Sequence, residues 1–184
     1  VDPFISGVYA GDPEKLIVSN HGRRGRSCET FINDGFWNTV LSQVSPDDYI
    51  FIQFGHNDEK DSSLDEYRLN LSRFIDETRK KGAIPVLLTP TTRRTLNSNG
   101  TLYDSHIKDG NDYPSTMRKL ALDSAVQLID ITASSMELVQ SLGMEESKII
   151  YLWLSPGESA NYPNGSSDNT HFSEYGANEM AKLV

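Results

Sequence analysis

An aspartate and a histidine lie three residues apart in the segment Asp168-Asn-Thr-His171. A carboxylate at this spacing can accept the imidazole Nδ1–H, which leaves Nε2 free to act as a general base. Such a pair serves a nucleophile in ester hydrolysis. The plainer interpretation is a surface aspartate followed by a histidine at a helix start, and the other motifs have to decide between the two.

Two glycine-containing loops carry candidate oxyanion donors. Asn57, in the segment Gly55-His-Asn-Asp58, follows an apolar run directly, and one side-chain amide aimed at an oxyanion lowers a barrier by roughly 3 kcal/mol. Gly25, in the loop at residues 20–27, offers a backbone N–H beside a predicted helix start, which is a natural anion site. Each loop also has a plainer interpretation, as a turn or as an ordinary connection from a strand to a helix.

The other reactive side chains indicate no second site. His21, His56 and His106 have no third ligand at metal-binding spacing, so we expect no metal site. Cys28 is the only cysteine and has no base or acid placed by the sequence to activate it, so we interpret it as a packed thiol.

The elements that must position these residues alternate between strand and helix patterns. The predicted strands are residues 16–19, 49–54, 83–89 and 126–130, and the run at 49–54 is apolar enough for a strand covered on both faces. The predicted helices are residues 28–43, 64–81, 114–125, 132–142 and a last one from about residue 173. In the helix at 64–81, Tyr67, Leu71, Phe74 and Ile75 are spaced to form one apolar stripe. A long polar loop separates Pro90 from Asp112.

This alternation predicts the α/β fold class, as a three-layer α/β/α sandwich around a parallel sheet. Ligands of such sheets bind at the carboxyl ends of the strands, which is where the candidate loops fall. We therefore expect the Gly25 N–H and the Asn57 amide to converge near the His171 ring. A chain of 184 residues is expected to form one domain, residues 1–184.

Composition limits the partners. The net charge is −9, which argues against nucleic acid and against an anionic membrane surface, because phosphate binding needs a basic face. No apolar run approaches the ~20 residues that span a bilayer. The chain starts with Val1 rather than methionine, and we expect it to be a processed or truncated piece.

Taken together, the motifs resemble the SGNH (GDSL-type) hydrolase superfamily. Gly25-Arg-Ser27, Gly55-His-Asn-Asp58 and Asp168-Asn-Thr-His171 are similar in order and spacing to its second, third and fifth blocks. The segments around residues 53–58, 89–94, 113–118 and 171–177 look like the rhamnogalacturonan acetylesterase branch. The resemblance implies oxyanion donors at Gly25 and Asn57, a general base at His171 and an orienting carboxylate at Asp168.

The first family block, Gly-Asp-Ser with its nucleophile, has no match in the sequence. Gly11-Asp12-Pro13 has proline where the hydroxyl should be, and neither Ser6 nor Ser19 is on the required turn. We therefore expect an N-terminally truncated, flavodoxin-like sheet that lacks its first strand, with an exposed apolar edge that promotes self-association. The 184 residues alone should not hydrolyse esters.

The implied substrate is an acetylated acidic polysaccharide or oligosaccharide of the pectin type, and the implied location is secreted or otherwise extracytoplasmic. Arg93 and Arg94 are candidates for its carboxylates, weighed against a solvated loop pair, and His106 and Tyr113 are weaker candidates for the sugar site. Two alternatives stay open. One is a catalytically dead, carbohydrate-binding member of the fold, and the other is an SGNH esterase or lipase with a different acyl specificity.

Overall fold

A computed structural model describes residues 17–184 of the chain. Two compact units divide these residues. The sheet unit contains His21–Pro90 and His106–Thr132, and the hairpin unit contains residues 17–20, Thr91–Ser105 and Ala133–Val184. The single-domain prediction stays a prediction.

The helices and strands follow one another in the order α1 (Cys28–Asn33), α2 (Phe36–Gln43), β1 (Tyr49–Gln53), α3 (Asp58–Asp61), α4 (Leu64–Lys80), β2 (Ile84–Leu88), β3 (Ile107–Lys108), β4 (Asn111–Asp112), α5 (Tyr113–Asp123), β5 (Gln127–Ile129), α6 (Ile131–Glu146), a 3₁₀ turn (Ser147–Ile150), β6 (Tyr151–Leu154), β7 (Ser166–Phe172) and α7 (Glu174–Ala181).

The sheet unit is built on a parallel sheet with the strand order β1-β2-β5. Helix α4 packs on it through the predicted apolar stripe, whose members Tyr67, Leu71, Phe74 and Ile75 are all buried. The α/β class and the parallel sheet flanked by helices are thus confirmed. The helices flank the sheet because apolar residues at helical spacing form one face, and that face leaves water only when it covers the sheet.

Several predicted elements were wrong. Residues 17–19 form no strand and Ile17 is 93% exposed, while residue 16 lies outside the described part of the chain. The helix predicted at 28–43 is two helices, because Gly35 takes a left-handed φ of 79° between α1 and α2. Strand β1 exists, but Tyr49 and Phe51 are 58% and 56% exposed, so it is not covered on both faces.

The apolar edge that we predicted for the sheet stays a prediction, because residues 1–16 lie outside the described part of the chain. Among the described residues, strand β1 pairs with β2 alone.

The hairpin unit contains an antiparallel pair that the sequence did not predict. Strands β6 and β7 pair with each other, and their core includes Val139, Ile150, Tyr151 and Met180. Helix α7 follows as predicted, with Ser173 as its N-cap, and packs so closely that a Cβ at Gly176 would overlap the backbone carbonyl of Ile150. The sequence did not predict β7 because its residues are mostly polar, whereas β-branched and aromatic residues have the highest strand propensity.

The loop predicted between Pro90 and Asp112 has some structure of its own. Leu96 and Leu102 form an isolated antiparallel bridge, and β3 pairs with β4. Among the described residues, no helix is both long and apolar enough to cross a membrane.

Candidate active site

Asp168 and His171 form a hydrogen-bonded pair on a bulge of β7. In the β6–β7 pairing, Trp153 faces Ser167 and Tyr151 faces Phe172. A single residue of β6 therefore lies opposite the four residues from Asp168 to His171, and these four residues of β7 are here named the bulge. The sequence predicted no strand here, and bulges commonly re-aim side chains beside active sites.

The bulge brings the two side chains together through an Asx turn. Oδ1 of Asp168 accepts the backbone N–H groups of Thr170 and His171 at 2.7 and 2.9 Å. Its Oδ2 lies 2.7 Å from Nδ1 of His171, as predicted from the spacing. The His171 side chain is 65% exposed, so its ring is open to a reactant in solution.

The carboxylate form of Asp168 is favoured in this arrangement. Burial acts to raise the pKa of Asp168, but hydrogen bonds from the His171 backbone, the His171 ring and the Thr170 backbone together lower that pKa below its ordinary value. An ionised Asp168 requires a proton on Nδ1 of His171, which leaves Nε2 as the basic nitrogen.

Arg94 is buried inside the hairpin unit, where it supports the bulge. Only 6% of the residue is exposed, its Nη1 donates to Oδ1 of Asn169 at 3.1 Å, and its Nε donates to Oγ of Ser147 at 2.9 Å. Its Nη2 donates to the Met144 carbonyl. These bonds occupy each nitrogen of the guanidinium with a protein acceptor, which does not support a direct contact of Arg94 with a substrate.

Arg93 and His106, the other two candidate substrate-binding residues, differ in how accessible their side chains are. Arg93 is half-buried and donates to Oγ of Ser105 at 3.3 Å. His106 is fully buried, with Nδ1 2.9 Å from Oε2 of Glu59 and its ring edge-on to His56. Tyr113 is likewise buried and donates its hydroxyl to the Ser62 carbonyl. His106 and Tyr113 are thus part of the packing of the sheet unit, and their role in a sugar site stays a prediction.

The two candidate oxyanion donors are neighbours in the sheet unit. Nδ2 of Asn57 donates to the carbonyl of Arg26, the residue after Gly25, at 3.3 Å. Gly25 is exposed in a turn with a φ of 70°, a conformation that favours glycine. The structure therefore brings the two loops together.

Asp58 joins the same two loops, and the sequence did not single it out. The carboxylate is fully buried and accepts the backbone N–H of Cys28 at 2.8 Å and that of Gly55 at 3.0 Å. Burial raises the pKa of Asp58, although these donors act in the opposite direction. The signal that could have found it is its position directly after Asn57, where a side chain can return to the loop backbone.

The other candidate side chains that the structure describes are buried or cap a helix. Cys28 is fully buried, as predicted for a packed thiol, and burial raises its pKa well above the ordinary value. Ser27 caps α1 through a capping box with Thr30. Within residues 17–184, no three His, Cys, Asp or Glu side chains cluster as metal ligands. Ser6 and Gly11-Asp12-Pro13 lie outside the described residues.

Asn57 belongs to the sheet unit and His171 to the hairpin unit. The expectation that the donors Gly25 and Asn57 converge on the His171 ring stays a prediction.

Comparison with known proteins gives concordant similarities. The family model described as GDSL-like lipase/acylhydrolase matches residues 10–184. The chain is 40% identical over 174 residues to rhamnogalacturonan acetylesterase RhgT of Bacillus subtilis (strain 168), covering 93% of this chain and 73% of that protein. It is 36% identical to the "Probable rhamnogalacturonan acetylesterase YesY" of the same organism, covering 97% of this chain and 80% of that protein.

Among solved structures, the crystal structure of YxiM from Bacillus subtilis superimposes with a TM-score of 0.77 at 25% identity. The match covers 97% of this chain and 47% of that one.

Proposed function

Because the chain belongs to the GDSL-like lipase/acylhydrolase family, we propose that it is an esterase that removes acetyl groups from a pectin-type polysaccharide, rhamnogalacturonan. The observation that carries the chemistry is the Asp168–His171 pair, with 2.7 Å between Oδ2 and Nδ1. The substrate class is supported by the two relatives named as rhamnogalacturonan acetylesterases.

The proposed reaction is acyl transfer to a serine followed by hydrolysis. Nε2 of His171 removes the serine proton and then gives it to the leaving sugar oxygen, which departs as a hydroxyl. Water then attacks the acetyl-enzyme, with His171 again the base, and acetate leaves. Asp168 holds the imidazole in the tautomer that this requires.

Gly25 and Asn57 are the proposed oxyanion donors, through a backbone N–H and a side-chain N–H. Asn57 donates to the Arg26 carbonyl in the structure, and an oxyanion would be a stronger, charged acceptor for the same amide. The serine itself is not assigned to any residue, and we propose no metal or organic cofactor.

The proposal is tested with the full gene product and acetylated rhamnogalacturonan, with release of acetate as the measurement. We expect the full gene product to release acetate and His171→Ala to lose nearly all of this activity, while the 184 residues alone release none. Rapid hydrolysis of long-chain acyl esters with no release of polysaccharide acetate would reject the proposed substrate class. Binding of the polysaccharide without hydrolysis would favour the carbohydrate-binding alternative.

The variant Ser27→Ala tests whether Ser27 is the nucleophile. Since Ser27 caps α1, we expect this variant to lose about 1 kcal/mol of stability and to keep its activity. Complete loss of activity in a folded Ser27→Ala protein would make Ser27 the nucleophile and would overturn the expectation that the nucleophile belongs to the unmatched Gly-Asp-Ser block.

A further inference from the structure

We propose that Arg94 is a positioning residue that holds the bulge, and through it the Asp168–His171 pair, in its reactive geometry. The inference rests on the proposed function, since it concerns the same histidine. It replaces the expectation that Arg94 binds a carboxylate of the substrate.

The first argument is that Arg94 contacts the bulge through both its backbone and its side chain. The Arg94 N–H donates to the carbonyl of Asn169 at 2.9 Å, and Nη1 donates to the Asn169 side-chain oxygen at 3.1 Å. Asn169 lies directly after Asp168 in the chain. These two bonds fix the backbone and the side chain of a residue in the middle of the bulge.

The second argument is that Trp153 completes the anchor. Its Nε1 donates to the same Asn169 oxygen at 2.9 Å, and its ring lies 5.4 Å from the Arg94 guanidinium carbon. The Asn169 amide thus accepts from two fixed donors, which determines its orientation. An unanchored bulge would exchange among conformations, because four residues here have no ladder partner on β6.

The third argument is that the far side of the guanidinium is held rigidly. Nε donates to Ser147 at the start of the 3₁₀ turn, and Nη2 donates to the Met144 carbonyl. The planar guanidinium therefore connects the segment from Met144 to Ser147 with the bulge. A lysine has the charge of arginine but cannot make these directed bonds at once.

The test uses the full gene product and a small, neutral acetate ester, so that no substrate carboxylate is present for an arginine to bind. We expect Arg94→Lys to lower kcat by about tenfold or more and to change KM by less than about twofold. Asn169→Ala should have the same effect. The double variant should be no worse than the worse single variant, because both changes release the same contact.

A second measurement reports on the histidine without any turnover. Ring ¹⁵N chemical shifts of His171, assigned by their absence in His171→Ala, give the share of neutral imidazole with its proton on Nδ1. We expect the Nδ1–H form to dominate in the natural sequence and to decrease in Arg94→Lys and Asn169→Ala. A general loss of stability would not change this tautomer.

Arg79→Lys is the matched control. The Arg79 guanidinium also donates to two backbone carbonyls, those of Ser124 and Ala125, but it does so in the sheet unit. We expect kcat and the His171 shifts to be unchanged in this variant.

If Arg94→Lys does not fold, Trp153→Phe removes only the second donor to Asn169 and should move kcat and the tautomer in the same direction by a smaller amount. Natural tautomer and kcat in both Asn169→Ala and Trp153→Phe would overturn the proposal. An Arg94→Lys protein with reduced turnover of acidic polysaccharide but unchanged kcat on the neutral ester would also overturn it. If the full gene product without substitutions releases no acetate, the proposed function fails, and the ¹⁵N measurement still decides whether Arg94 positions His171.

Discussion

The imidazole Nδ1 of His171 lies 2.7 Å from the Asp168 carboxylate, and the same carboxylate accepts the backbone N–H of His171 at 2.9 Å. One aspartate thus fixes both the ring and the main chain of the histidine. Neither contact requires a distant residue, because an Asx turn at Asp168 closes over three residues. The reactivity of the pair nevertheless depends on what supports the bulge that contains it.

Asp168→Asn should lower kcat for a small acetate ester by up to about 10⁴-fold, with little change in KM, because an amide no longer stabilises the imidazolium or selects the tautomer. Steady-state kinetics of the full gene product measures this. The double variant with His171→Ala should be no slower than His171→Ala alone, since the two residues act as a unit. Ser167→Ala, at an exposed neighbour on β7, is the control and should keep its activity. A small, equal loss in Asp168→Asn and Ser167→Ala would contradict the role of the pair.

The stability of the protein should depend on Asp168 in acid. The folded-state pKa of this carboxyl lies below its ordinary value, so its stabilising contribution is present above the unfolded pKa of about 3.9 and is lost as pH falls through the folded value. We expect the unfolding free energies of the natural sequence and Asp168→Asn to differ by a constant amount at higher pH and to converge below that window. Urea unfolding at a series of pH values measures the difference. A gap that widens in acid would show that the pKa is raised instead.

Arg93→Glu should reduce turnover of acidic polysaccharide far more than turnover of a neutral acetate ester. The physical reason is that a negative charge at this proposed contact would repel an acidic ligand and leave a neutral one unaffected. Arg93 is half-buried, so its reversal is not made inside a closed core. The ratio of kcat/KM for the two substrates is the measurement, and it should approach the natural ratio at high salt. Equal losses on both substrates would mean that Arg93 supports the fold.

Asp58→Asn should loosen the two loops that carry Gly25 and Asn57. An asparagine retains one acceptor oxygen but places an NH₂ group against the second backbone donor, at a cost of about 1–3 kcal/mol for the unsatisfied groups. Amide hydrogen exchange should show protected N–H groups at Cys28 and Gly55 in the natural sequence and faster exchange at one or both in the variant. Glu77→Gln is the control, because Glu77 accepts the Trp37 indole N–H elsewhere in the sheet unit. Unchanged protection in Asp58→Asn would remove the role given to this carboxylate.

Patterns repeated along the chain were enough to predict much of the fold. The stripe of Tyr67, Leu71, Phe74 and Ile75 predicted both α4 and the face that it buries, because helical spacing alone decides which side chains share a face. The parallel strands β1, β2 and β5 were found as short apolar runs between helices. The sequence also predicted the Asp168–His171 contact, since three residues of chain are enough to bring those side chains together.

What only the tertiary structure decided is which distant groups meet. Asn169 is 75 residues from Arg94 in the sequence, Asp58 is 30 from Cys28, and His106 is 47 from Glu59. No local pattern encodes these contacts, and each changes the interpretation of a residue: Arg94 and His106 become internal, and Asp58 becomes a link between loops. The β7 bulge belongs to the same class, because it exists only against β6. Spacing along the chain fixes side-chain direction within one element, but burial and partners are properties of the packed whole.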